Sequence, residues 1–191
     1  MAVHRDLKDK EKTQIWAQTL LNMPNFYVID TETTGVGKQD EAVQIGVIDK
    51  YGRTIMDTLV KPTKPCPSGA IMVHGITNEM LASAPTWLDV YIELSAKLAA
   101  STLIAYNMDF DWRILQQTSN LYGLPMFGAV KRHCAMVEYA RYRGSWNIEK
   151  RTYRWHKLSD ACKFQHIKVE NAHNALGDVR MTLDLVRCMA G

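Results

Sequence analysis

Phe26-Tyr27-Val28-Ile29-Asp30-Thr31-Glu32-Thr33-Thr34-Gly35 is an apolar, β-prone run that ends abruptly in acid, hydroxyl and glycine. A short apolar run of this kind reads as a buried strand, which puts Asp30 at its C-terminal end. On an extended chain Asp30 and Glu32 point to one face, about 6 to 7 Å apart, a spacing that suits two carboxylates sharing metal ions. Alone, Asp-x-Glu is a weak signal, because such pairs are common on solvated strand ends. Thr33, Thr34 and Gly35 strengthen it, since small hydroxyls and a permissive backbone let a bulky substrate come close.

Working outward, residues 13–23 carry Ile15, Trp16, Leu20 and Met23 at near-helical spacing, and Pro24-Asn25 supplies a stop. This predicts a lead-in helix within residues 1–25 whose job is to cover the sheet. Downstream, a turn at 34–37 precedes strands at 42–49 and 54–60, joined tightly at Tyr51-Gly52 as a hairpin. The proline-rich stretch 62–67 is an irregular link, followed by Met72-Val73-His74-Gly75-Ile76-Thr77 and two helical stretches up to Ala100. A fourth strand at 102–106 feeds a helix carrying Trp112, Ile114, Leu115 and Leu121. A fifth strand lies near 130–134, then a helix through Arg143, a loop, a helix over 158–164 and a closing helix over 175–189. Strands first, then alternating strand and helix, predict an α/β layer fold with a mixed sheet.

With 191 residues the chain can bury a sizeable core, and one domain is the economical reading, with the body at 26–191 behind the lead-in helix. A formal charge of only +3 means that attraction for nucleic acid must come from local clustering. No apolar run approaches the roughly 20 residues needed to span a membrane, and the first twelve residues lack the apolar core of a signal peptide, which points to a cytoplasmic protein. Cys66, Cys134, Cys162 and Cys188 have neither metal-ligand spacing nor the density of a disulfide scaffold, and read as reduced structural thiols.

Two further segments carry acid. In Asn107-Met108-Asp109-Phe110-Asp111 both aspartates stand at the head of a helix, where acid also favours the helix dipole, and that suffices for Asp109. Asp111 follows the strand at 102–106, so it and Asp30 both fall in the crevice outside the carboxyl ends of strands, where α/β sheets bind ligands. In His173-Asn174-Ala175-Leu176-Gly177-Asp178 the spacing of histidine and aspartate is about 140° on a helix, not one face. They converge only if His173 stands on the preceding loop or first turn. A histidine beside such a cluster suits a general base for water, although a lone histidine is more often solvated or capping. Hard divalent cations want oxygen ligands, so Asp30, Glu32, Asp111 and Asp178 with His173 suit magnesium or manganese far better than zinc.

These three segments, in this order, resemble the D-x-E, N-x-x-F-D and H-x(4)-D motifs of the DEDDh branch of the DnaQ-like 3′–5′ exonucleases. The similarity runs from Phe26 to Met189 and includes Val73-His74-Gly75-Ile76-Thr77 between the first two motifs. The resemblance implies a ribonuclease H-like fold, a five-stranded mixed sheet flanked by helices. It also implies two-metal (Mg²⁺, with Mn²⁺ as substitute) hydrolysis of a 3′-terminal phosphodiester, releasing nucleoside 5′-monophosphates. Asp30, Glu32 and Asp178 match the inner metal ligands, Asp30 also bridging to the second ion. Asp111 matches the residue that holds that ion largely through water, and His173 matches the base. Thr33, Thr34, His74, Ile76, Asn107 and Phe110 match positions lining the terminal nucleotide, though Phe110 also reads as a core aromatic. Tyr106 departs from the histidine that many relatives carry there.

Between 131 and 157, Lys131, Arg132, Arg141, Arg143, Lys150, Arg151, Arg154 and Lys157 outnumber Glu138 and Glu149, with tyrosines and tryptophans interleaved. Cations that track phosphates and rings that stack on bases are the elements of single-strand binding. The segment 144–154, with Arg151 and Arg154, is expected to guide a strand towards the metals; the plainer alternative is a solvated basic loop. The partner so implied is a single-stranded 3′ end, DNA ahead of RNA. A homodimer stays open, as does a role as the proofreading subunit of a polymerase, which the chain's stop just past the last motif disfavours. A catalytically silent nucleic-acid-binding module is the alternative of another class.

Overall fold

A computed structural model describes residues 2–128, 130–169 and 172–191. Helix α1 (Ala2–Leu21) leads into β1 (Phe26–Thr33), β2 (Ala42–Asp49) and β3 (Thr54–Leu59). Helices α2 (Ser68–His74), α3 (Asn78–Ala82) and α4 (Trp87–Leu98) follow, then β4 (Thr102–Ala105), α5 (Met108–Leu121), β5 (Lys131–Cys134) and α6 (Ala135–Arg143). Two short strands, β6 (Trp146–Asn147) and β7 (Thr152–Tyr153), precede α7 (Leu158–Phe164) and α8 (Ala175–Ala190).

The main sheet has the order β3-β2-β1-β4-β5. β1 pairs antiparallel with β2 and parallel with β4, so the sheet is mixed, with helices on both faces, as expected. Side-chain alternation on the strands sorts the core. Ile29, Ile45, Val47 and Leu103 pack with Trp87, Leu94, Ile114 and Leu115 of α4 and α5. On the other face Phe26, Val28, Ile48 and Ile104 pack with Leu20 of α1, Tyr139 of α6 and Val179, Leu183 and Val186 of α8. β2 is buried along its whole length, which is why its sequence is almost continuously apolar.

Three expectations need correcting. The lead-in helix starts at Ala2 instead of Thr13, and besides covering the sheet through Ala17 and Leu20 it lies along α6 and α8. Its first turns are charged, and good helix formers such as lysine and glutamate extend a helix without leaving an apolar stripe to read. A separate helix, α2, begins directly after Pro67 and stops at Gly75, whose φ of 75° is left-handed. Where a plain loop was expected between Arg143 and Leu158, β6 and β7 form a small hairpin, with Trp146 edge-on to Tyr153 at 5.0 Å. Strands of two residues are too short to show alternation.

Candidate active site

β1 outruns β4. Its ladder with β4 covers only Phe26 to Val28, so the next residues present one backbone edge to α5 instead of a strand. Asp111, in the first turn of α5, fills that edge: its Oδ1 accepts from the Thr31 amide at 3.0 Å and the Thr31 hydroxyl at 2.8 Å. Asp30 and Glu32 continue the row of Phe26 and Val28 on the opposite face, beneath α8. There each offers an oxygen that, with one from Asp178, forms a group within 4.8 Å.

Two features of β2 bring α8 so close. Gly46 is the cross-strand partner of Asp30, and a Cβ there would meet the Ala175 carbonyl carbon at 2.7 Å and the Leu176 nitrogen at 2.9 Å. Only a residue without a side chain lets the first turn of α8 touch the strand. Beside it, Gln44 accepts from the Ala175 amide at 3.2 Å and the Asn174 side chain at 3.4 Å, satisfying one of the free donors of the helix start. Sequence reasoning missed both residues; the signal for Gly46 was a lone glycine inside an otherwise apolar strand.

The cluster is electrostatically frustrated. Burial, then Asp178 and Asp111, push the Glu32 carboxyl up to about 8. Burial raises Asp111 to about 7 against the bonds from Thr31, and raises Asp178 to about 6 against the pull of His173. Asp30 is raised well above the ordinary range by burial and by all three neighbours. Asp178 Oδ1 is buried without a hydrogen-bond partner among the described residues. A buried, unpartnered carboxylate oxygen among crowded acids fits a divalent cation, whose charge would remove the repulsion and whose preferred donors are oxygens.

His173 stands on the turn ahead of α8, at a φ of 63°, and lines one cleft of ≈ 570 Å³ with Asp178, Asn107 and Trp155. This is the loop position its spacing from Asp178 required. His74 lies close enough for the charge of His173 to act on it; its Nδ1 accepts from the Ile76 amide at 3.0 Å, and burial lowers its pKa.

Other expected contacts are arranged differently. Thr33 donates to the Gly35 carbonyl at 2.7 Å, and Thr34 donates to Asp40 at 2.9 Å and accepts from the Glu41 amide. The space beside Gly35 is filled by the Asp40 carboxylate, 2.7 Å from where a Cβ would stand, so a residue without a side chain is what lets this loop close. Ile76 is buried with Val43, Cys66 and Leu81. Phe110 packs on the core under the Arg113 guanidinium, as the core reading allowed. Arg151, at a φ of 49°, and Arg154 are exposed on and just past the β6–β7 hairpin.

Comparison with known proteins places the chain beside a family model, curated relatives and solved structures. Residues 27–186 fit the RNase_T family model, described as exonuclease. A protein of Escherichia phage 186 named "Uncharacterized exonuclease CP81" is 45% identical over 168 residues, 85% of this chain and 86% of that protein. The DNA polymerase III subunit epsilon of Treponema pallidum is 28% identical over 169 residues, 86% of this chain and 75% of that one. In fold, the chain is similar to Escherichia coli exonuclease I in complex with a dT13 oligonucleotide, with a TM-score of 0.70 at 18% identity over 85% of this chain. It spans only 40% of that exonuclease.

Proposed function

Because the chain belongs to the RNase_T exonuclease family, DnaQ-like nucleases, we propose that it removes nucleotides one at a time from the 3′ end of single-stranded nucleic acid. The observation that carries this reading is the convergence of Asp30, Glu32 and Asp178 within 4.8 Å beside a cleft that also holds His173. DNA is placed ahead of RNA on the names of the relatives, one a DNA polymerase subunit and one bound to an oligothymidylate.

Asp30, Glu32 and Asp178 would hold one divalent cation, with Asp111 contributing to a second. Two Mg²⁺ ions, replaceable by Mn²⁺, would there supply an acidified water and offset charge at the departing oxygen. His173 accepts the proton of the attacking water and, being exposed on its turn, passes it to solvent. The water oxygen bonds to phosphorus, the 3′ oxygen of the penultimate nucleotide departs and takes a proton from solvent, and the terminal nucleotide leaves as its 5′-monophosphate. Asn107, at the head of α5 in the same cleft, and His74 are the side chains disposed to contact that terminal nucleotide.

The test is digestion of 5′-labelled single-stranded DNA and RNA with Mg²⁺, with Mn²⁺ and with chelator. A metal-dependent ladder shortening from the 3′ end, reduced on the order of a thousandfold or more by Asp30→Ala, is expected. A ladder growing from the other end, or one that survives chelator, would sink the proposal. A second reading, a proofreading partner of a polymerase, rests on the epsilon subunit's similarity across most of both chains. It predicts turnover that rises when a polymerase is added.

A further inference from the structure

Trp155 is 66% exposed, although its backbone is fixed on both sides. On one side the Arg154 amide donates to the Ser145 carbonyl at 2.8 Å, closing the base of the hairpin. On the other, the Tyr106 hydroxyl donates to the His156 carbonyl at 2.6 Å, tying this segment to the residue that follows β4. The His156 ring is held edge-on between Tyr139 and Phe164, at 5.7 and 5.8 Å. An aromatic side chain this exposed on so constrained a backbone is poised to contact something outside the chain.

Its position says what. Trp155 lines the ≈ 570 Å³ cleft of His173 and Asp178, and also a neighbouring groove of ≈ 580 Å³ along the hairpin, with Lys150 and Arg154. Among the described residues it is the one common to both hollows. Along the segment 144–157 Lys150, Arg151, Arg154 and Lys157 stand against the single acid Glu149, so the occupant that complements this stretch of chain is an anionic polymer bearing flat rings.

We propose that Trp155 is a base-stacking platform for the nucleotides upstream of the scissile bond, leading a single strand from the hairpin groove into the catalytic cleft. This rests on the exonuclease reading above. Stacking tolerates every base, so the platform governs how tightly strands of some length are held, and not which sequence or sugar is chosen.

The test compares wild type, Trp155→Ala and Trp155→Phe on an oligothymidylate of about twelve nucleotides and on the p-nitrophenyl ester of thymidine 5′-monophosphate, too short to reach beyond the cleft. Binding of the fluorescein-labelled oligonucleotide is measured separately, in chelator. Trp155→Ala is expected to weaken binding and raise the oligonucleotide KM by roughly 5- to 100-fold, with little change in kcat and a far smaller effect on the ester. Trp155→Phe restores most of the loss. Unchanged binding and KM, or equal losses on both substrates, would overturn the platform, the latter by making Trp155 a support of the cleft itself. Failure of wild type to cleave either substrate would overturn the exonuclease reading, while the binding arm still decides for or against the platform.

Discussion

At the C-terminal end of β1, three carboxylates crowd within 4.8 Å beneath a packed helix, whereas the β6–β7 hairpin, which reaches the same cleft, holds Arg151, Arg154 and Trp155 out in water. The first region is positioned by close backbone approach, Gly46 against Ala175, with no room there for a side chain. The second is positioned by a few hydrogen bonds and leaves the side chains of Arg151, Arg154 and Trp155 exposed. Rigid placement suits groups that act on a reacting atom, and adaptable placement suits groups that hold a flexible polymer. The carboxylate end should therefore govern kcat and metal affinity, and the hairpin KM.

The sharpest way to break that division is His173→Ala. Removing a general base should lower kcat about 10²- to 10⁴-fold while leaving metal-dependent substrate binding nearly intact, since the histidine is not among the clustered ligands. Single-turnover rates alongside oligonucleotide titration decide it; near-normal turnover would take the base role from His173.

Gly46→Ala tests whether packing sets the carboxylate geometry. The added methyl would sit 2.7 Å from the Ala175 carbonyl carbon, a backbone atom that cannot swing aside, so the first turn of α8 must move and take Asp178 with it. Losses of about 10- to 100-fold in metal affinity are expected, comparable to those from disturbing groups that orient metal ligands. Calorimetric titration with Mn²⁺ reads this without turnover. Wild-type affinity would mean that the cluster is not held by the β2–α8 contact.

The crowding also predicts a pH dependence. In the folded, metal-free protein Asp178, Asp111 and Glu32 retain protons up to about 6, 7 and 8, whereas in the unfolded chain carboxyls lose them near 4. Between these limits the folded state binds more protons, so its stability is greatest at the acid end and falls as pH rises. Melting in chelator should drop by several degrees from pH 5.5 to 8.5, and added Mg²⁺ should raise it most at the alkaline end. A flat profile in chelator would show that the cluster is not strained.

The same contrast explains what could be read from sequence. Asp30 and Glu32 were legible because an apolar strand that ends in acid is a local pattern, and α5 was legible from Trp112, Ile114, Leu115 and Leu121 along it. The duty of Asp111 towards Thr31 was not, because it depends on β1 running past β4, a matter of sheet register. Nor was the bond from the Ala175 amide to Gln44, between residues 131 apart in sequence. The bonding of Thr34 and the crowding at Gly35 were not legible either, because nothing in the motif announces Asp40, six and five residues further on. The hairpin showed itself only as composition.

Composition alone bounds the last and smallest effect. The chain carries a formal charge of only +3, so no global field draws in a polyanion, and the role proposed for Arg151 and Arg154 is that of single phosphate contacts. Each contact to a strand contributes slightly under one to the slope of log affinity against log salt. Replacing both by alanine should therefore flatten the salt dependence of KM by about one to two, raise KM a few-fold at low salt, and leave kcat as it was. The effect should shrink as salt rises, unlike that of Trp155→Ala, because stacking is not screened. A change in kcat would mean that the hairpin also orders the catalytic end. Unchanged KM and salt slope would reduce the two arginines to solvated surface.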